Sequence, residues 1–238
     1  MSAHNPPSAE MLESLLIPST ATLTAVLQEY GLWNTFMEDV SPITSGICMA
    51  GPAFTMRYIP AREDLTREPV DNLTDMQRIG IERIEKGEIL VVDARGKTDA
   101  GIMGDILATR IKLRGAAGIV TDGAFRDTPG IVETGLATYA SGMNAHNSKT
   151  SHYPSDIQQP IACGGIAVFP GDIIVGDAEG VVVIPRHLAE EVAEKAVEKE
   201  NREVFLLYKI QQGHSIIGVY PPDENTLAEY EAWKLGKA

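Results

Sequence analysis

Glu88-Ile-Leu-Val-Val-Asp93, then Gly104-Asp-Ile-Leu-Ala-Thr-Arg-Ile-Lys-Leu-Arg114, then Gly118-Ile-Val-Thr-Asp122 form the stretch that decides the fold. The first and third segments are short, continuously apolar runs, as a strand buried on both faces requires. The middle segment fits a helix with Ile106, Leu107, Ile111 and Leu113 inward, ended at Gly115. Parallel neighbours need a long crossover, so this strand–helix–strand passage predicts two parallel, adjacent strands.

Elements extend outward on both sides of this unit. Ser19 or Thr20 can cap a helix bearing Leu23, Val26, Leu27 and Tyr30. Gly51 to Ile59 reads as a strand, and residues 71–86 as a helix with Leu73, Met76, Ile79 and Ile84 at helical spacing, closed at Gly87. Downstream the pattern is β-rich: 137–140, 161–163, 166–169, 173–175 and 180–184. Pro170-Gly-Asp172 and Asp177-Ala-Glu-Gly180 supply the last turns. A charged helix over 187–209 shows Leu188, Val192 and Ala196 on one stripe, and a short helix near 225–234 ends the chain. The division is a loose arm at 1–15, one α/β domain at 16–205, and an extension at 206–238 that packs on the domain or on a neighbouring subunit.

The chain has 238 residues, enough for a substantial core, and 44% of them are hydrophobic. A formal charge of −13 and a pI near 4.8 disfavour nucleic acid and anionic membrane surfaces as partners. No apolar run reaches the roughly 18–20 residues that span a bilayer, and the first residues lack a secretory pattern. Cys48 and Cys163 lie far apart and read as small buried hydrophobes in a reducing compartment. These features predict a cytoplasmic protein.

Asp105 is followed by 20 residues and then by the adjacent pair Arg126-Asp127. Gly104 stands at a helix start, where unpaired backbone N–H groups attract anions and a missing Cβ allows close approach. Asp105 falls in the first turn, and Arg126-Asp127 lie just past the strand ending at Asp122. Two carboxylates close together need compensation, which Arg126 and a divalent cation can share. A few carboxylates with retained waters suit Mg²⁺, and Arg suits a carboxylate or enolate. From spacing alone, the same residues read equally well as a helix cap and a surface ion pair.

Gly104-Asp-Ile-Leu-Ala with Gly115-Ala-Ala-Gly-Ile-Val-Thr-Asp-Gly-Ala-Phe-Arg-Asp127 resembles the signature of the RraA-like family. That family includes class II 4-hydroxy-4-methyl-2-oxoglutarate / 4-carboxy-4-hydroxy-2-oxoadipate aldolases. Ser19-Thr-Ala-Thr-Leu, Gly51-Pro-Ala-Phe-Thr and the segment 170–185 extend the likeness to roughly residues 15–205. The resemblance implies a single-domain α/β/β sandwich with helical N- and C-terminal ends, assembled as homotrimers or homohexamers with sites at subunit interfaces. It implies a lyase that releases pyruvate from a small 2-oxo acid, by retro-aldol cleavage, oxaloacetate decarboxylation or both. Asp127 would ligate Mg²⁺ or Mn²⁺ directly and Asp105 through water. Arg126 would bind the pyruvyl carboxylate or enolate oxygen, helped by Gly104 and the N–H groups of Ile106 and Leu107. The family's ribonuclease-regulator branch lacks the complete acidic motif, so the intact motif here favours the enzyme, with a protein-binding regulator as the alternative.

Two segments depart from the pattern. The loop expected over 139–153 carries His146, Lys149 and His152, which suit either a binding wall or a solvated crossing. Glu194, Glu198, Glu200 and Glu203 are candidates for an acidic residue donated to a neighbour.

Overall fold

A computed structural model of the chain describes residues 6–66 and 70–236. Its elements in order are α1 (Ala9–Ser14), α2 (Thr20–Glu29), β1 (Ser41–Pro42), β2 (Met49–Pro60), α3 (Glu63–Thr66), α4 (Met76–Arg83), β3 (Ile89–Asp93) and α5 (Asp105–Leu113). They continue with β4 (Gly118–Phe125), α6 (Thr128–Glu133), β5 (Ala137–Met143), β6 (His152–Ile157), β7 (Ile161–Cys163), β8 (Ile166–Val168), β9 (Ile173–Gly176), β10 (Val181–Ile184), α7 (Ala189–Gln211) and α8 (Glu224–Leu235). The parallel centre is β2-β3-β4-β5, reached through α4, α5 and α6, with Val91 opposite both Thr55 and Val120. Strands β1, β9 and β10 complete the sheet in antiparallel sense, in the order β1-β5-β4-β3-β2-β9-β10. Strand β6 pairs with the end of β2, and β7-β8 form a separate hairpin.

Alternation along the strands explains the layers, because successive side chains point to opposite faces. Leu90 and Val92 pack with Ile81, Ala108, Ile111 and Ile131 beneath α4–α6, whereas Ile89 and Val91 face Cys163, Ile166 and Val168 of the hairpin. In β9 and β10, Ile174, Val181 and Val183 join that same inner core, while Ile173, Val175, Val182 and Ile184 face Leu23, Val26, Leu27, Val192 and Ala196. The result is the expected layered α/β/β arrangement, with α1, α2 and α7 covering its far side. Each fully buried Val, Leu or Ile contributes about 1.5–3 kcal/mol.

Several expected boundaries move. The arm expected over 1–15 is helical from Ala9 to Ser14, capped by Ser8, with Met11 and Leu15 buried; residues 1–5 lie outside the described residues. The helix expected from residue 71 begins at Met76, because the Asp75 side chain accepts the Arg78 N–H and caps it there, leaving Leu73 85% exposed. In α5, Ala108 and Ile111 face inward, but Ile106 and Leu113 are exposed, against the expectation. The loop expected over 139–153 shrinks to 144–151, because its first residues belong to β5 and its last two to β6, and His152 is buried. Cys163 is buried as expected and Cys48 is exposed. Among the described residues no helix is long and apolar enough to cross a membrane.

Candidate functional site

Strand β4 runs three residues further than its sequence suggests, to Phe125, so Arg126 and Asp127 stand directly at its C-terminal end. That edge, where parallel strands give way to helices, is where open α/β sheets gather ligands. Residues 100–104 are laced alongside it. Gly101 donates to His146 O at 3.0 Å, Ile102 donates to Ala124 O at 2.8 Å, and Arg126 donates to Met103 O at 3.1 Å. Asn144 closes the lacing from the other side, its N–H donating to Phe125 O at 2.8 Å and its side chain to Thr98 O at 2.9 Å. Gly101 must be glycine, because a Cβ there would lie 2.8 Å from Arg126 N.

This lacing sets Gly104 face to face with Asp127. A Cβ on Gly104 would fall 2.5 Å from Asp127 Oδ2 and 3.4 Å from Arg126 Cγ. Asp105 is held from behind by α6, where a Cβ on Gly130 would fall 2.6 Å from its Oδ2. Glycines therefore leave room for both carboxylates at one place. Asp127 adopts left-handed backbone angles (φ 53°, ψ 36°), a conformation Asp tolerates better than most residues.

The structure bears on both readings left open by spacing. Asp127 occupies the N-cap position of α6 but makes no capping hydrogen bond with its side chain. Its Oδ2 instead accepts from Arg126 Nε at 3.0 Å. Gly104 holds the cap position of α5, and the Asp105 Oδ1 accepts from the adjacent Ile106 N–H at 2.8 Å. The Arg126–Asp127 pair is 36% and 46% exposed in its side chains, so it contributes little to stability. A half-exposed pair facing a pocket is instead available to a ligand.

The pocket, ≈ 340 Å³, is lined by all six expected residues: Gly104, Asp105, Ile106, Leu107, Arg126 and Asp127. It is also lined by Gln77, Arg78, Asn147 and Ser148, which the sequence reading did not single out. Arg78 looks like an ordinary helix-surface cation, and only the fold brings α4 to this edge. None of Glu194, Glu198, Glu200 and Glu203 lines the pocket of the same chain. Glu200 accepts from Ser19 N and Thr22 Oγ1, and Glu198 accepts from Tyr230 and Lys234. Asp122, expected near the motif, is spent on structure. It accepts from Ala94 N at 2.7 Å and Gly96 N at 2.9 Å, while burial pushes its carboxyl up from the ordinary value.

Among the described residues no three His, Cys, Asp or Glu side chains cluster as metal ligands. The donor set is therefore two carboxylates. Hard oxygen donors in small number, with waters filling the remaining positions, fit Mg²⁺ or Mn²⁺ and do not fit Zn²⁺ held by sulfur and nitrogen.

The fold and the pocket define a mixed α/β protein with paired carboxylates and a guanidinium at the C-terminal edge of its parallel strands. Residues 20–183 match the family described as "RraA-like: Aldolase/RraA", and the chain belongs to that family. It is 33% identical over 184 residues to "Putative 4-hydroxy-4-methyl-2-oxoglutarate aldolase" of Halalkalibacterium halodurans, covering 77% of this chain and 80% of that protein. It is 28% identical over 187 residues to protein DlpA of Legionella pneumophila, covering 79% of this chain but only 29% of DlpA. Streptomyces coelicolor RraAS2, described as an unusual member of the RNase ES inhibitor RraA protein family, superposes with a TM-score of 0.76. The two are 33% identical, with 85% of this chain and 98% of RraAS2 covered.

Proposed function

We propose that the chain is a carbon–carbon lyase that releases pyruvate from a small 2-oxo acid, with Mg²⁺ or Mn²⁺ as cofactor. The observation that carries this reading is the convergence of Asp105, Arg126 and Asp127 on the N-terminus of α5, opened by Gly104. Relatives named as aldolases support it.

Arg126 binds the carboxylate or the developing enolate oxygen of the pyruvyl group through its planar fork. The N-terminal N–H groups of α5, that of Leu107 among them, add dipolar stabilisation for the same negative charge, while that of Ile106 donates to Asp105 Oδ1. Asp127 and, through water, Asp105 would hold the cation, which supplies electron withdrawal at the enolate oxygen when bound. In cleavage the C3–C4 bond breaks, its electron pair enters the enolate, and the C4 hydroxyl loses its proton as a carbonyl forms. Protonation at C3 then yields pyruvate. Decarboxylation of oxaloacetate passes through the same enolate, so one site serves both. A homotrimer or homohexamer with sites at subunit interfaces belongs to this reading, since two carboxylates leave positions open for a neighbour's donor.

The test is pyruvate release from oxaloacetate and from 4-hydroxy-4-methyl-2-oxoglutarate, with Mg²⁺ and with EDTA. Metal-dependent release from either supports the lyase. The second reading is a protein-binding regulator, favoured by the likeness to RraAS2. It predicts no release, no metal binding and a stable protein partner.

A further inference from the structure

A second pocket, ≈ 420 Å³, lies between α4 and the 147–154 segment and shares Gln77, Arg78, Asn147 and Ser148 with the pocket that holds Asp105, Arg126 and Asp127. The two are lobes of one cleft, and Arg78 stands at the waist between them. One guanidinium lines the first lobe at the β4 edge, and another marks the passage to the second.

Arg78 is held in place by a buried network. Gln77, 7% exposed, donates from Nε2 to Ile102 O at 2.8 Å and to Tyr58 Oη at 2.5 Å. Its Oε1 is left to accept from Arg78 Nη1 at 2.8 Å. The Arg78 guanidinium is thus tied to the same 100–104 lacing that positions Gly104. In a chain of net charge −13, no carboxylate among the described residues lies within ion-pair distance of it. The second lobe is also lined by the carboxylates of Asp71 and Asp75, and His152, 1% exposed, sits buried at its wall. Neither of these carboxylates lines the first lobe, so a pre-positioned cation without an ion-pair partner is suited to an anionic ligand group there.

We propose that Arg78 is the specificity-determining residue of the site. It binds a carboxylate at the far end of a 2-oxo acid whose pyruvyl end rests on Arg126, and the second lobe receives the fragment that departs. This inference rests on the lyase reading and adds to it the residue that selects the substrate by charge and length. Gln77 acts as a positioning residue for Arg78.

The test is equilibrium binding to the full-length protein in Mg²⁺ of two probes that lack the 4-hydroxyl needed for cleavage, pyruvate and 2-oxoglutarate. The wild type should prefer 2-oxoglutarate. Arg78→Gln should lose roughly ten- to hundredfold of the 2-oxoglutarate affinity, the scale of one charged hydrogen-bonded contact, and keep pyruvate affinity within about twofold. Arg78→Lys should fall between, retaining the charge without the fork. Arg126→Gln should weaken both probes. If pyruvate binds and the Arg78 variants alter the two probes equally or not at all, Arg78 has no such role and the lyase reading stands. If the wild type binds neither probe, both readings fall.

Discussion

Replacing Gly104 by alanine should disable the site while leaving the fold intact. Its backbone (φ −121°, ψ −167°) is extended and open to any residue, so alanine adds no conformational strain. The new Cβ would meet the Asp127 Oδ2 at 2.5 Å and Arg126 Cγ at 3.4 Å. To regain an ordinary contact the carboxylate must retreat by about 0.9 Å, and Asp127 can do so by turning its side chain. Removing a glycine also lowers the entropy of the unfolded chain, a gain of about 0.4–1 kcal/mol that offsets the local adjustment. The melting temperature of Gly104→Ala should therefore lie within a few degrees of wild type. A misplacement near 1 Å at a reacting centre costs on the order of 10²-fold in rate, and that is the expected loss of kcat for metal-dependent pyruvate release. Mn²⁺ binding followed by electron paramagnetic resonance should weaken in parallel, because the displaced group is the proposed ligand. Wild-type kcat and Mn²⁺ affinity in a folded variant would refute the placement of Asp127 at the metal.

Gly101→Ala should behave differently, since its Cβ would meet Arg126 N at 2.8 Å and Asn144 O at 3.0 Å, backbone atoms that cannot turn away. A loss of about 1–3 kcal/mol is expected from such overpacking, and an unchanged thermal melt would contradict the lacing described above. Arg126→Ala should lower kcat for pyruvate release by roughly 10²–10³, the cost of one oxyanion donor, with stability nearly unchanged; near-normal kcat would remove Arg126 from the reaction. His152 is held below its ordinary value, first by burial and then by Arg95. The unfolded chain therefore takes up a proton near pH 6.5 while the folded protein does not, so stability falls as pH drops through about 6.5 toward the folded value. Urea melts between pH 7.5 and 5.5 should show this decline, smaller in His152→Gln; an identical slope in the variant would contradict it.

The strand–helix–strand centre is legible in the sequence because buried parallel strands and a crossover helix have strong local signatures. The spacing of Asp105 and Arg126-Asp127 is legible for the same reason, since both ends sit on that unit. Strand β6 is not legible: it contains Pro154, and its strand character comes from pairing with β2. The apolar residues of α5 mislead, because Ile106 and Leu113 share a stripe with each other, seven positions apart, yet are 81% and 74% exposed, while Ile111 lies on another face and is buried. Ile106 instead lines the pocket mouth. Arg78 and Gln77 escape detection because their role depends on α4 docking beside residues 147–154, a contact between segments about 70 positions apart that no local pattern encodes.

The central claim is that Asp127 and a divalent cation act together to release pyruvate. The most direct measurement compares wild type and Asp127→Ala for pyruvate release from oxaloacetate and 4-hydroxy-4-methyl-2-oxoglutarate, across a Mg²⁺ titration, against protein-free controls. The variant is needed because free metal alone decarboxylates oxaloacetate. Saturable, EDTA-sensitive release in the wild type, falling to the protein-free rate in Asp127→Ala, is the predicted result. Equal release by the two proteins would contradict the account.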